Sequence, residues 1–229
     1  MDSLKPVARP RLYETVARQI VTWMSDNEVR PGDRLPPERE LAVKLGVSRA
    51  TISQALVAME VVGAISVRHG DGAIVTSLSA DVKLVEAIRE HAQRLPDILD
   101  ARDALESKLA ALAAERRTEA DMAAIDAALD FMLSELDAGE RGVDGDERFH
   151  AAVTQAAHSQ LLAKLMGEIS GLIRETRVES LGQPGRPRES MIQHRTVAEA
   201  IRAGDPALAA AAMHSHLSAI RKGRALGEG

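Results

Sequence analysis

The sequence predicts a mainly α protein in two parts. A small N-terminal domain holds three helices and one β-hairpin, and an all-helical bundle of six to seven helices follows. Three observations predict this. Aromatic residues are only 2% of the 229, while alanine is abundant, which favours helix-on-helix packing over strands built from aromatic and β-branched side chains. Apolar residues recur at helical spacing, as at Val16, Ile20, Trp23 and Met24. Two short β-prone runs, Ala64 to Arg68 and Ala73 to Thr76, flank the Gly-rich turn His69-Gly70-Asp71-Gly72.

Composition narrows the function classes. With no cysteine, neither a disulfide framework nor a thiolate metal site is available. Met1-Asp2-Ser3 leads into a polar, proline-containing segment, and no long uncharged apolar run occurs anywhere. The expectation is a soluble, cytoplasmic protein without a signal peptide of the usual kind or a membrane span. The net charge of −5 is unevenly spread. Residues 1–77 hold ten Lys/Arg and nine Asp/Glu, net +1, and the remainder holds 19 basic and 25 acidic residues, net −6. Charge alone does not point to nucleic acid, so such a function has to rest on a motif.

Taken in order, residues 1–10 contain two prolines and no periodic pattern, and read as a flexible arm. A helix runs from Arg11 to about Asn27, and Pro31-Gly32 punctuates the turn that ends at Asp33. From Leu35 to Leu56 two short amphipathic segments are joined at Gly46-Val47. Ser48 is placed to cap the second, its hydroxyl accepting an orphan helix N–H. Ile52, Leu56 and Met59 share one face of that helix, while Ala50, Ser53, Gln54 and Val57 form a small or polar open side. This is the helix-turn-helix pattern, and the hairpin after Gly63 makes it winged. From about Ser79 the chain is near-continuous helix, with candidate segments 81–92, 96–115, 118–138, 143–157, 159–180, 188–203 and 205–222. Pro96 and Pro206 fall at first-turn positions, where a missing N–H costs nothing. The domain organisation is an arm at 1–10, a winged domain at 11–77, a linker or first helix at 78–94, an all-α domain at 95–222 and a tail at 223–229.

Three stretches carry a family likeness: Arg11-Leu12-Tyr13, Arg30-Pro31-Gly32-Asp33-Arg34-Leu35-Pro36-Pro37-Glu38-Arg39-Glu40-Leu41-Ala42, and Gly46-Val47-Ser48-Arg49. Together they resemble the N-terminal signature of the GntR family of bacterial transcription regulators, across most of residues 11–76. The resemblance implies that the winged domain binds double-stranded operator DNA. It points to Arg39, Arg49, Thr51 and Ser53, with His69 and Gly70 at the wing tip, and Ser48, Ala50 and Gln54 complete the DNA-facing set. Many relatives carry Arg-Glu-Ala-Leu where this chain has Ser53-Gln54-Ala55-Leu56, so a long basic reader is missing. Gln54 suits an adenine edge, and Arg49 suits a phosphate or a guanine edge. A homodimer on a palindromic operator would add the specificity that one small domain lacks.

In the second domain Asp146 and His150 lie at i and i+4, on one face of a helix. His194 and His216, 22 residues apart, suit neighbouring antiparallel helices. One carboxylate and three imidazoles converging inside a bundle would suit Zn, Ni, Mn or Fe(II). The alternative is that each is an ordinary surface or core residue. His69, His91, His158 and His214 show no comparable pattern, and His214 is expected to be exposed.

Residues 95–222 resemble the all-helical, effector-binding FCD domain of the FadR subgroup. The likeness lies in Leu99-Asp100-Ala101-Arg102-Asp103-Ala104-Leu105-Glu106, Asp146-Glu147-Arg148-Phe149-His150, His194, Ala203-Gly204-Asp205 and His216-Leu217. It implies a divalent metal ion (Zn, Ni or Mn) on Asp146, His150, His194 and His216, and a small organic acid paired with Arg102. A guanidinium fork matches a carboxylate bidentately. The competing arrangement is an intrahelical pair between Arg102 and Glu106. Glu106, Arg174 and Arg177 are secondary candidates for the effector cavity, although Arg174 and Arg177 also fit as surface arginines. The implied function is a ligand-responsive regulator, most often a repressor, with no catalytic residues. A direct metal sensor is one competitor. A metalloenzyme whose three His and one Asp activate water for attack on a small carboxylate is another.

Overall fold

The computed structural model describes residues 12–68, 72–77 and 81–225. The arm at 1–10, the wing-tip residues His69 and Gly70, and the end of the tail lie outside the described residues. Ten helices and two strands follow in the order α1 (Leu12–Asp26), α2 (Glu38–Leu45), α3 (Arg49–Val61), β1 (Ile65–Arg68), β2 (Gly72–Val75), α4 (Asp81–Arg116), α5 (Glu119–Asp137), α6 (Val143–Ala156), α7 (Gln160–Glu168), α8 (Ser170–Leu181), α9 (Arg186–Ala203) and α10 (Pro206–Ala225). The chain divides into two compact units, one reaching to Glu90 and the other beginning at His91. No helix among the described residues is long and apolar enough to cross a membrane.

In the first unit α1 buries Val16, Ala17, Ile20, Val21 and Met24 in one core with Ile52, Ala55, Leu56 and Met59 of α3. Gly46, at φ 66°, closes α2 in the left-handed conformation that favours glycine, so α3 can leave at a new angle. Ser48 caps α3 as its position predicts, Oγ accepting from the Thr51 N–H at 3.1 Å. The wing is larger than the sequence suggests. Gly32 N–H donates to the Val75 carbonyl (2.8 Å), Leu35 N–H to that of Ala73 (2.9 Å) and Val75 N–H to that of Asp33 (2.9 Å). The segment read only as a turn therefore pairs along β2, with an antiparallel bridge at Arg34 and Ile74. Val57 corrects the expected open side of α3, because it is buried (1% exposed). Ala55 to Met59 are all buried, so exposure on α3 is confined to its first turns.

The candidate segments 81–92 and 96–115 are one helix, α4, with Pro96 in its interior and not in a first turn. Proline removes one backbone donor and crowds the carbonyl four residues back, that of Ala92. Here Pro96 is exposed, where water can serve that carbonyl, while Leu95, Ile98 and Leu99 around it are buried. Their burial outweighs the local cost. Pro206 does open α10. The segment 159–180 is two helices broken at Ile169 (φ −103°, ψ 5°), and the Ser170 hydroxyl donates to the Gly167 carbonyl at 2.8 Å across the break. Thr118 opens α5 with a capping box: its Oγ1 accepts from Asp121 N–H, and Asp121 accepts from Thr118 N–H.

Helix α6, which carries Asp146 and His150, lies close against α5. Its Gly145 N–H donates to Glu135 Oε2 at 2.7 Å, and a Cβ on Gly145 would stand 2.4 Å from Met132 Cα. Backbone atoms cannot yield as a flexible side chain can. Gly145→Ala is therefore expected to destabilise the protein by about 1–3 kcal/mol or more, read as a lowered urea midpoint. An unchanged midpoint would show that the two helices have slack.

Candidate functional site

Asp146, His150, His194 and His216 come together from α6, α9 and α10, all buried, with one donor atom from each lying within 4.8 Å of the others. Asp146 Oδ1 is 3.4 Å from His194 Nε2, and Oδ2 is 3.7 Å from His150 Nε2. The His194–His216 and His150–His194 ring centroids are 4.6 and 5.0 Å apart. Phe149 stacks on His194 at 4.2 Å, a dry wall that fixes the ring plane. His216 Nδ1 meets Gln193 Oε1 at 3.0 Å. A carbonyl oxygen only accepts, so Nδ1 carries the proton and Nε2 presents its lone pair, which meets no partner.

Electrostatics act on Asp146, His194 and His216. Burial by itself would raise the Asp146 carboxyl, but His150, His194, Arg177 and His216 outweigh it and hold it well below the usual carboxylate range. Burial, aided by the nearby His150, Arg177 and Arg102 and opposed by Asp146, pushes His194 down to about 3. His216 is lowered for the same leading reason, with His194 and His150 adding to it. An ionised Asp146 beside neutral His194 and His216 is the protonation state that a divalent metal needs, and the unpaired buried Nε2 of His216 is what a missing ligand leaves behind. The residues fit the ion that the sequence implied.

Arg102 is fully buried on α4. Its Nε donates to Glu106 Oε1 at 2.6 Å and its Nη1 to Thr176 Oγ1 at 2.8 Å, while Nη2 meets no acceptor. The intrahelical pair weighed from sequence is thus present, yet one edge of the fork stays open. Glu106 also lies against His150 Nδ1. Burial would raise its carboxyl, but Arg102, His150 and Arg177 bring it well below the ordinary range.

Arg174 and Arg177 separate. Arg174 is half-exposed and pairs with Asp144 and Glu147 at the surface, so it is not brought to the cluster. Arg177, one turn on, is 6% exposed and donates from Nε to Asp146 Oδ2 at 2.7 Å, which corrects its reading as a surface arginine. Residues i and i+3 share a helix flank only loosely, and the first lies at the rim. Sequence reasoning missed Ser190, whose hydroxyl donates to Asp146 Oδ1 at 3.3 Å, and Gln193, Thr176 and Arg186. Ser190 lies one turn before His194, a signal that was available. His214 is exposed, as expected, and pairs with Asp103.

In the first unit Arg39, Ser48, Arg49 and Ala50 are exposed, and Thr51, Ser53 and Gln54 are partly so. Arg49 is 70% exposed, only 4.0 Å from Glu38. No acidic residue occupies the first turn of α3, so its positive dipole end faces outward uncompensated.

A winged helix-turn-helix followed by a seven-helix bundle with a buried Asp/His cluster is the arrangement of a DNA-binding transcription regulator. Residues 12–75 match the gntR family of bacterial regulatory proteins and residues 97–219 match the FCD domain, so the chain belongs to that family. It is 32% identical to the HTH-type transcriptional regulator LutR of Bacillus subtilis, over 86% of this chain and 94% of that protein. It is 30% identical to a putative L-lactate dehydrogenase operon regulatory protein of Escherichia coli, over 92% and 85%. Among solved structures, Streptococcus agalactiae GntR shares the fold, with TM-score 0.50, 24% identity and coverage of 92% and 99%. The family consists of regulators and not enzymes, which sets aside the metalloenzyme alternative.

The depressed imidazoles make metal-free stability depend on pH. An unfolded His takes a proton near pH 6.5, whereas folded His194 resists until about 3, so the unfolded state binds more protons and stability falls as pH drops below 6.5. Each such His adds a slope of about 1.4 kcal/mol per pH unit. In chelator-treated protein, His216→Asn should give a shallower decline between pH 6.5 and 5 by urea unfolding. Equal slopes would show that His216 is not held neutral.

Proposed function

We propose that this regulator is a homodimeric repressor whose grip on a palindromic operator is controlled by a small organic acid, bound together with a divalent metal ion in the helical domain. The observation that carries this reading is the buried convergence of Asp146, His150, His194 and His216 beside Arg102 with its open guanidinium edge. A zinc, nickel or manganese ion there would supply a Lewis-acidic anchor for ligand oxygens. The chain's own residues supply the rest. Arg177 and Ser190 orient the Asp146 carboxylate, Gln193 fixes the His216 tautomer, and Arg102 offers Nη2 to a carboxylate. The E. coli relative's name ties it to an L-lactate dehydrogenase operon, and lactate is an acid of the kind such a site accepts.

At the DNA end, Arg49 leads α3 into the major groove, with Ser53 and Gln54 behind it and Arg39 toward the backbone. Linkage makes the control reciprocal. An acid that binds the DNA-free form more tightly must be bound less tightly by the operator complex, by the same factor. Mobility shift on upstream fragments should show salt-sensitive specific binding that metal plus acid releases. Control by metal alone after chelation and add-back would favour a metal sensor instead.

Arg49→Ala should weaken operator binding by about 1–3 kcal/mol while leaving acid binding intact. Unaltered operator affinity would remove Arg49 from the reading surface.

His194→Ala should abolish stoichiometric metal in purified protein by elemental analysis. Retention of one equivalent per chain would mean that the ion sits elsewhere.

A further inference from the structure

We propose that the effector carries at least two carboxylates and that Arg186 binds the second. The proposal rests on the reading of the Asp146–His cluster and Arg102 as an organic-acid site, but its own observation is different: a third buried guanidinium that the fold satisfies only in part. Arg186 opens α9 and is 6% exposed. Its Nε reaches Ser180 Oγ at 3.4 Å. Its Nη1 forms an ion pair with the half-exposed Glu189 carboxylate at 3.0 Å, off hydrogen-bond geometry, and its Nη2 meets no acceptor. A guanidinium has five donors and cannot shed its proton, so leaving them unfilled away from water is costly unless a partner arrives.

The approach is narrow, and an entering acid must widen it. A cleft of about 20 Å³ is lined by Leu95, Thr176, Gln183 and, shared with a closed recess, Ser180, Arg186 and Ile220. That recess touches Arg102, Asp146, Arg177 and His216. Arg186 therefore stands between the opening and the ligand cluster. Glu179, the carboxylate at the outer cleft, is already engaged by His91 Nε2 at 2.8 Å.

Charge balance sets the valence of the guest. Three buried guanidiniums, those of Arg102, Arg177 and Arg186, are balanced by Glu106, Asp146 and the half-exposed Glu189 that pairs with Arg186. A divalent ion on the cluster would leave two positive charges in surplus. A monocarboxylate has one charge shared by two oxygens, which the open edge of Arg102 and the cluster already claim. Arg186 Nη2 would stay unserved, and one positive charge would remain. A second carboxylate, a short chain away from the first, meets Arg186 and removes the rest of the surplus.

L-lactate and L-malate separate the possibilities, because malate is lactate with its methyl group extended to a carboxymethyl. Calorimetry would use the full chain loaded with one equivalent of Zn²⁺ and freed of excess, with citrate as a third probe. Malate is expected to bind at least tenfold more tightly than lactate. Arg186→Gln should cost malate on the order of tenfold to a hundredfold and leave lactate unchanged. Arg186→Lys, which keeps the charge and loses the fork, should fall between. Should Arg186→Gln fail to fold, the malate-to-lactate ratio in Arg186→Lys decides, and an unchanged ratio overturns the proposal. Lactate binding as tightly as malate, or an equal loss for both acids in Arg186→Gln, also overturns it while leaving the Arg102 site standing. Binding of none of the three acids would overturn both.

Discussion

The helical domain depends on one buried carboxylate. Asp146 sits away from water, at a cost that several imidazoles and a guanidinium must offset. Its partners come from four helices: His150 from its own, Arg177 from α8, Ser190 and His194 from α9, and His216 from α10. Apolar residues of similar volume would hold those four helices together as well or better. A polar centre with a lone-pair nitrogen and open guanidinium edges is therefore not explained by stability. A bound group would explain it, and burial holds His194 and His216 below their ordinary range, as ligands of a cation need.

The DNA-reading domain is economical in the opposite sense. Its charge is near neutral, so nonspecific attraction to phosphate is weak, and affinity must come from the first turns of α3 and their exposed side chains. The capped N-terminus of α3 helps, because Ser48 uses one orphan N–H while the dipole and Arg49 remain free to face an anion. Such an element suits a regulator. A reader that binds modestly as one copy is easily governed by the state of two.

Local patterns were legible where the chain's neighbours in sequence decide the structure. The cap at Ser48, the Gly46 turn and the α1 face all involve contacts within a few residues. The i, i+4 relation of Asp146 and His150 was equally local, and family likeness supplied His194 and His216. What was hidden was decided across the bundle. Pro96 stays inside α4 because of the burial of Leu95, Ile98 and Leu99, which no first-turn rule can see. Arg177 and Arg174 look alike in sequence, and only the packing of α8 against α6 sends one inward to Asp146 and the other out to Asp144. Val57 has the spacing of an outward position but lies where α3 is already covered.

Control of the operator needs more than a filled site. An effector shifts a two-state equilibrium only by the difference in its affinity for the two states, whatever its absolute affinity. A site whose ligand groups are as deeply buried as Arg102, His194 and His216 makes such a difference easy to obtain. On the proposed reading, a metal ion would leave the centre with surplus positive charge, and an acid that neutralised it would stabilise whichever arrangement keeps the guanidiniums and imidazoles gathered. An arrangement that let Arg186 or Arg102 reach water would gain far less from the same acid. The charge balance of the centre would thus let a small anion choose between two forms of the protein.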